Sequence, residues 1–248
     1  MPTQETVLLL GGTGRTGRRV LLQLLQQGFR VRAIVRDRAK LPAGVSEDPK
    51  LTSIEASLLC LPDETLRNHL AGCSAVVSCL GHVISFKGIF GPPHDLVTQA
   101  TKRLCRQIEA LSPATPIKFV LMSSVSVHRS RAYDRRRGAF ERAFLWLLRC
   151  LVPPAKDNQR AADFLIQTVG PSHPFVEWVA VRPDSLLEGE VSPYERSEEL
   201  THSVFAPAST NMANVAHFMC ELIANPSTWA TWRGKLPVIY NSNLAHPT

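Results

Sequence analysis

Gly11-Gly-Thr-Gly-Arg-Thr-Gly17 is the stretch that decides the fold. It follows the apolar run Thr6-Val-Leu-Leu-Leu10 and precedes residues 18–27, where Val20, Leu21, Leu24 and Leu25 recur at helical spacing. Gly28 ends that pattern, and Arg30-Val-Arg-Ala-Ile-Val35 reads as a second strand. Strand, turn, helix and strand within about thirty residues make a βαβ unit, which demands a parallel sheet. Each glycine has a separate task. Gly11 permits a tight turn, Gly14 lets backbone N–H groups approach a pyrophosphate, and Gly17 lets the helix pack closely on the sheet. Together with Thr13, Arg15 and Thr16 they form a loop at a helix N-terminus, a natural seat for an anion. The stretch therefore predicts dinucleotide binding.

The alternation continues outward from that unit. Further strands are expected at 51–55, 74–79, 117–122, 175–181 and 236–240. Helices are expected at 63–71, 94–111, 139–151, 157–169 and 212–224, with Pro153-Pro154 splitting two of them. Residues 184–210 have no clear periodicity and carry Pro193 and Pro207. They read as an insertion that builds a substrate pocket over the C-terminal edge of the sheet. The expected fold is α/β: a single-domain, doubly wound Rossmann fold over residues 1–248, with about seven parallel strands and helices on both faces.

The end of the second strand selects the dinucleotide. A site for NAD places Asp or Glu there to accept hydrogen bonds from the adenosine ribose. Here Arg36 comes first, followed by Asp37, Arg38 and Lys40. A guanidinium matches a 2′-phosphate bidentately, which favours NADP(H), with Arg15 covering the same phosphate or the adenine. In the competing reading Asp37 takes the ribose and the arginines are solvated.

GGTGRTG, with Val35-Arg-Asp37 at the second strand end, resembles the atypical short-chain dehydrogenase/reductases. The nearest groups are the NmrA-like proteins and the flavin reductase/biliverdin-IXβ reductase type. Val77-Ser-Cys-Leu-Gly81, Phe119-Val-Leu-Met-Ser-Ser124, Val179-Ala-Val-Arg-Pro183 and Val215-Ala-His-Phe-Met219 resemble later family segments, in the same order. The resemblance implies that Leu80 and Gly81 lie beside the cofactor and that Gly81 and Pro183 frame the nicotinamide end. It also implies that Ser124 is the active-site hydroxyl that orients substrate; the competing reading has Ser123 and Ser124 capping a strand end. Many members reduce small planar or carbonyl substrates with NADPH, and others bind NADP to regulate or assemble something else. Two departures stand out. No Tyr-x-x-x-Lys exists: Tyr133 is followed by Arg137, while Ala155 and Gln159, with Lys156 and Asn158 close by, fall near the expected places. Ser57 stands where the family often has Asp.

Composition narrows the remaining classes. The 248 residues are 44% apolar and 20% charged, which excludes wholesale disorder. Lys plus Arg exceed Asp plus Glu by 28 to 21, so anionic partners are favoured. Arg129, Arg131, Arg135, Arg136, Arg137 and Arg142 cluster in a stretch that reads first as a solvated loop, and it lacks the interleaved aromatics of a nucleic-acid reader. The six cysteines form no CxxC pair, no metal site is expected, and with no basic leader pattern at the start a cytoplasmic, reducing compartment is the expectation. His82 and His128 are weighed as substrate-facing groups beside the alternative of packed or surface imidazoles, and His94 as a helix start. The apolar helix over 140–152 reads as a core element or, with the basic loop before it, as a lid, a dimer face or a peripheral membrane surface. The leading expectation is an NADPH-dependent oxidoreductase reducing a small carbonyl, quinone or flavin-like acceptor without a Tyr–Lys relay. The alternative is a non-catalytic NADP-binding regulator or assembly factor that uses 129–152 as its partner or membrane surface. A homo-oligomer is left open.

Overall fold

The computed structural model describes residues 5–82, 91–129, 134 and 137–242. Its main sheet is built from β1 (Thr6–Leu10), β2 (Arg30–Val35), β3 (Leu51–Glu55), β4 (Cys73–Ser78), β5 (Ile117–Met122), β6 (Val176–Pro183), β10 (Val238–Asn241) and β8 (Tyr194–Ser197). The spatial order is β3-β2-β1-β4-β5-β6-β10-β8. Seven of these strands run parallel, and β8 closes one edge antiparallel to β10. A separate parallel pair joins β7 (Ser185–Leu187) to β9 (Ser209–Asn211). The expected Rossmann architecture is present. Region 184–210, which shows no clear periodicity in the sequence, supplies β7, β8 and the start of β9.

Strand period explains why helices cover both faces. Val7 and Leu9 point into one layer with Val20, Leu21 and Leu24 of α1 (Gly17–Gln26) and Phe218 of α6 (Met212–Ala224). Leu8 and Leu10 point into the other layer. There they meet Leu66 of α2 (Asp63–Leu70), Leu104 of α3 (Leu96–Leu111) and Ala161 of α5 (Pro153–Phe164). A parallel sheet buried on both sides needs such continuous apolar strands. A short α7 (Pro226–Trp232), capped by the Asn225 side chain, was not expected from the sequence.

Three local expectations change. Pro153 and Pro154 do not separate two helices from outside; they open α5, where the missing N–H of the first turn has no helical partner to lose. His94 lies outside α3, which begins at Leu96. The arginine cluster is not simply a solvated loop. Arg129 and Arg137 are buried, and Asp134 lies 3.4 Å from fully buried Arg182 while accepting the Arg129 backbone N–H at 2.8 Å. Arg182 arrives from β6, so the counter-charge arrangement is tertiary and invisible in the local charge run. Arg131, Arg135 and Arg136, and Tyr133, lie outside the described residues. Among the described residues no helix is long and apolar enough to cross a membrane.

Candidate functional site

A cavity of about 570 Å³ opens at the carboxyl ends of the central strands, lined by Leu10 and Val35 at the ends of β1 and β2, Cys79 just past β4, and Met122 at the end of β5. It straddles β1 and β4, where the strand order reverses, the switch point at which open α/β sheets take ligands. Six of the seven loop residues from 11 to 17, all but Gly12, line it. Gly11 has φ +75° and a Cβ there would lie 2.5 Å from the Cys79 carbonyl oxygen. A Cβ on Gly17 would lie 2.0 Å from the Gly11 carbonyl oxygen, so close helix–strand packing requires glycine. The Gly14 N–H donates to that same carbonyl at 2.9 Å and shapes the turn. No hydrogen bond joins the N–H groups of Thr13, Arg15 or Thr16 to another described residue. Free donors at the start of α1 fit a pyrophosphate.

The charges after β2 separate in space. Exposed Arg36 lines the cavity. Asp37 is turned to local work: it accepts the Ala39 N–H at 3.0 Å and lies 3.1 Å from Lys40. These contacts, the Lys40 hydrogen bond foremost, hold its carboxyl below the usual range. Arg38 reaches across β3 to the Ser53 carbonyl at 2.8 Å. Of the charged residues that follow β2, Arg36 lines the cavity, and Asp37 is occupied by local contacts. Arg15 lines the cavity too, but its guanidinium pairs with Glu188 at 2.9 Å, and Arg19 grips the other oxygen of the same carboxylate. Glu188 follows β7, and neighbouring Leu186 lines the cavity. The segment after β7 is thus clasped onto the glycine loop by a carboxylate that sequence inspection did not single out.

Beyond β4 the cavity is lined by Leu80, Gly81 and His82. His82 Nε2 lies 3.0 Å from Asp157 Oδ2, with both side chains buried. Asp157, from α5, also accepts the backbone N–H groups of Val97 and Thr98 at 2.8 Å and the Thr98 hydroxyl at 2.6 Å. It therefore caps α3 from another helix and holds the imidazole at the cavity wall, with the Nε2 proton facing the carboxylate. Asp157 was not anticipated. The only local hint was an acid in the first turns of a helix opened by two prolines.

Other expected residues fall elsewhere. Ser124 is half-buried, accepts the Ser126 N–H at 3.2 Å, and does not line the cavity. Pro183 is buried at the end of β6 and also lies outside the lining. Gln159 clamps the backbone of His128, accepting its N–H at 2.8 Å and donating to its carbonyl at 3.0 Å. Burial pushes the His128 imidazole below its ordinary pKa despite nearby Asp134. Ser57 lines the cavity. Among the described residues no three His, Cys, Asp or Glu side chains gather as a metal site.

Fold, switch-point cavity and glycine cradle define a dinucleotide-binding Rossmann protein. The chain belongs to the NAD(P)H-binding family, whose model matches residues 11–226. It is 32% identical over 130 residues to an uncharacterized chloroplastic protein of Arabidopsis thaliana, a match covering 50% of this chain and 42% of that one. The chain spans less than half the length of the curated relatives it matches. Among solved structures it resembles an anaerobillin reductase from Escherichia coli O157:H7, with TM-score 0.67, 15% identity, and 98% of this chain and 100% of the other covered. It also resembles a wide-type short-chain dehydrogenase/reductase from Veillonella parvula DSM 2008 in complex with NADP, with TM-score 0.65, 13% identity and coverages of 98% and 97%. At these identities the shared property is the fold.

Proposed function

We propose that the protein is an NADPH-dependent reductase of small carbonyl, quinone or flavin-like acceptors. The observation that carries this reading is the cavity at the β1/β4 switch point, with unpartnered N–H donors of the glycine loop at one side and Arg36 at its rim. In this reading the loop N–H groups hold the pyrophosphate and Arg36 takes the 2′-phosphate. Leu80 and Gly81 flank the nicotinamide end. Bound NADPH supplies the hydride; the chain's task is to orient the acceptor, exclude water and manage one proton. The segment after β7, clasped to Arg15 and Arg19, covers the glycine-loop side of the cavity, in keeping with region 184–210 as a pocket-building insertion. The proton reaches the acceptor oxygen from water, and His82, held by Asp157 through its Nε2, stands at the cavity wall to orient that water. That water takes the role that an absent Tyr–Lys relay would play. Ser124 serves the turn to Ser126 in this scheme rather than the acceptor.

The NAD(P)H-binding family model supports the cofactor, and the reading is in keeping with two proteins of the same fold, one solved in complex with NADP and one named an anaerobillin reductase. The test is NADPH oxidation by the purified chain with quinones, flavins, bilins and aldehydes. Turnover that falls by about a hundredfold or more in His82→Gln, with NADPH affinity retained, supports the reading. Tight NADPH binding with no oxidation of any acceptor would instead support a non-catalytic NADP-binding regulator.

A further inference from the structure

Helix α4 (Ala139–Leu151) is built inside out. Its inward residues include Glu141, buried and accepting the Val204 N–H at 2.9 Å, and Leu145. Its outward residues are apolar: Phe140 is 78% exposed, Trp146 63% and Leu151 63%, with Phe144 and Leu147 between them. Phe140, Phe144, Leu147 and Leu151 fall at i, i+4, i+7 and i+11, one continuous stripe. Phe205, from a distant loop and itself exposed, stacks on Phe140 and Phe144 at ring separations of 5.6 and 5.1 Å and widens the patch. A helix that hides its carboxylate and shows aromatics contradicts the expectation of a core helix on the sheet. Isolated exposed apolar residues need no explanation, but a contiguous aromatic patch marks an interaction surface.

The neighbouring chemistry says what covers it. At the C-terminal end of the stripe, Arg149 and Cys150 line a shallow cavity of about 590 Å³ together with Lys156, Arg160 and His94. The same cavity holds Asp95, which accepts from Gln99 at 2.6 Å, and Asp157, which caps α3 and faces His82, so the Arg and Lys cations outnumber the carboxylates three to two. A short helix with Trp, Phe and Leu outward and cations beside its end has the anatomy of an interfacial anchor. On an anionic bilayer such rings would enter the acyl boundary while the cations would meet headgroup phosphates. The whole chain carries +7, which adds long-range attraction to an anionic surface.

We propose that α4, with Phe205 and the Arg149–Lys156–Arg160 cavity, seats the protein on an anionic phospholipid bilayer. This contact is independent of the reductase reading. The test is co-sedimentation of the full chain with phosphatidylcholine vesicles containing or lacking phosphatidylglycerol, at low and high salt. Binding to the phosphatidylglycerol vesicles, weakened by salt, is expected. Trp146→Glu/Leu147→Glu and, separately, Lys156→Glu/Arg160→Glu should each weaken it by about tenfold or more. Unchanged NADPH affinity and melting temperature in these variants of exposed residues would show that the fold is intact. Failure of the wild type to pellet with anionic vesicles overturns the proposal, as does equal pelleting with both vesicle types or binding that survives both double substitutions. A wild-type dimer in sedimentation that Trp146→Glu dissociates, without vesicle binding, would assign the patch to a second copy instead.

Discussion

Replacing Asp157 tests the architecture of the cavity wall. Its carboxylate accepts two backbone N–H groups at 2.8 Å, one hydroxyl at 2.6 Å and one imidazole N–H at 3.0 Å, all from groups out of water. Asp157→Ala leaves the Val97 and Thr98 N–H groups buried without acceptors. Each such donor costs about 1–3 kcal/mol, and loss of a helix cap alone costs about 1 kcal/mol. Because these contributions overlap, the expected loss is about 3–5 kcal/mol. For a chain of this size that lowers the melting temperature by roughly 10 °C. Asp157→Asn keeps one acceptor oxygen and should lose about half as much. Thermal melts by circular dichroism and urea titrations measure the loss, and amide exchange at Val97 and Thr98 locates it. A fall below roughly 2 °C for Asp157→Ala, with unchanged protection at both amides, would refute the cross-helix cap. It would also remove the basis for a held imidazole at His82.

Three further outcomes follow from the same geometry. Arg36→Asp should weaken NADPH binding by about 10- to 100-fold while changing NADH little, measured by fluorescence titration, since one charge-assisted pair to a phosphate is lost. Equal losses for both would mean that Arg36 does not meet the 2′-phosphate. Gly17→Ala places a Cβ 2.0 Å from the Gly11 carbonyl oxygen, so it should lower the melting temperature and abolish NADPH binding; a normal melt with full affinity would sink the packing argument. Alkaline stability should also fall. Burial pushes the Cys79 and Cys105 thiols up to about 12 and Cys73 up to about 11, and raises Cys220. The folded chain then keeps protons that the unfolded chain releases above the ordinary thiol value of 9.0, so stability is lost as pH rises from that value toward about 12. A melting temperature that stays flat through that window, measured under reducing conditions, would contradict it.

The parallel core was legible because most of its strands are short apolar runs, the first two ended by Gly11 and Arg36. β1, β2, β3 and β5 occupy the residues expected for them, and α4 and α6 do as well. β7 and β8 were missed for a physical reason: they are short, largely exposed and carry no alternating burial for a pattern to report. The Asn225-Pro226 start of α7 was present in the sequence as a cap followed by a first-turn proline, and went unread. In the site, the glycine loop and Arg36 line the cavity, a position that their local sequence pattern already suggested. Asp157 and Glu188 were not suggested in that way, because each acts on residues far away in the chain: Asp157 on His82 and α3, Glu188 on Arg15 and Arg19. The same holds for Arg129 and Arg137, whose neighbours on the sequence suggest solvent while their neighbours in space include Asp134, Glu141 and Arg182. Ser124 was placed correctly at a strand end, and that position alone did not bring it to the cavity.

The most direct test of the central claim is calorimetric titration of the purified chain with NADPH and NADH under identical buffer and salt. One NADPH per chain, bound at least about tenfold more tightly than NADH, is the expected result for a pyrophosphate on the glycine loop with Arg36 at the 2′-phosphate. No binding of either dinucleotide, or tighter binding of NADH, would contradict the account.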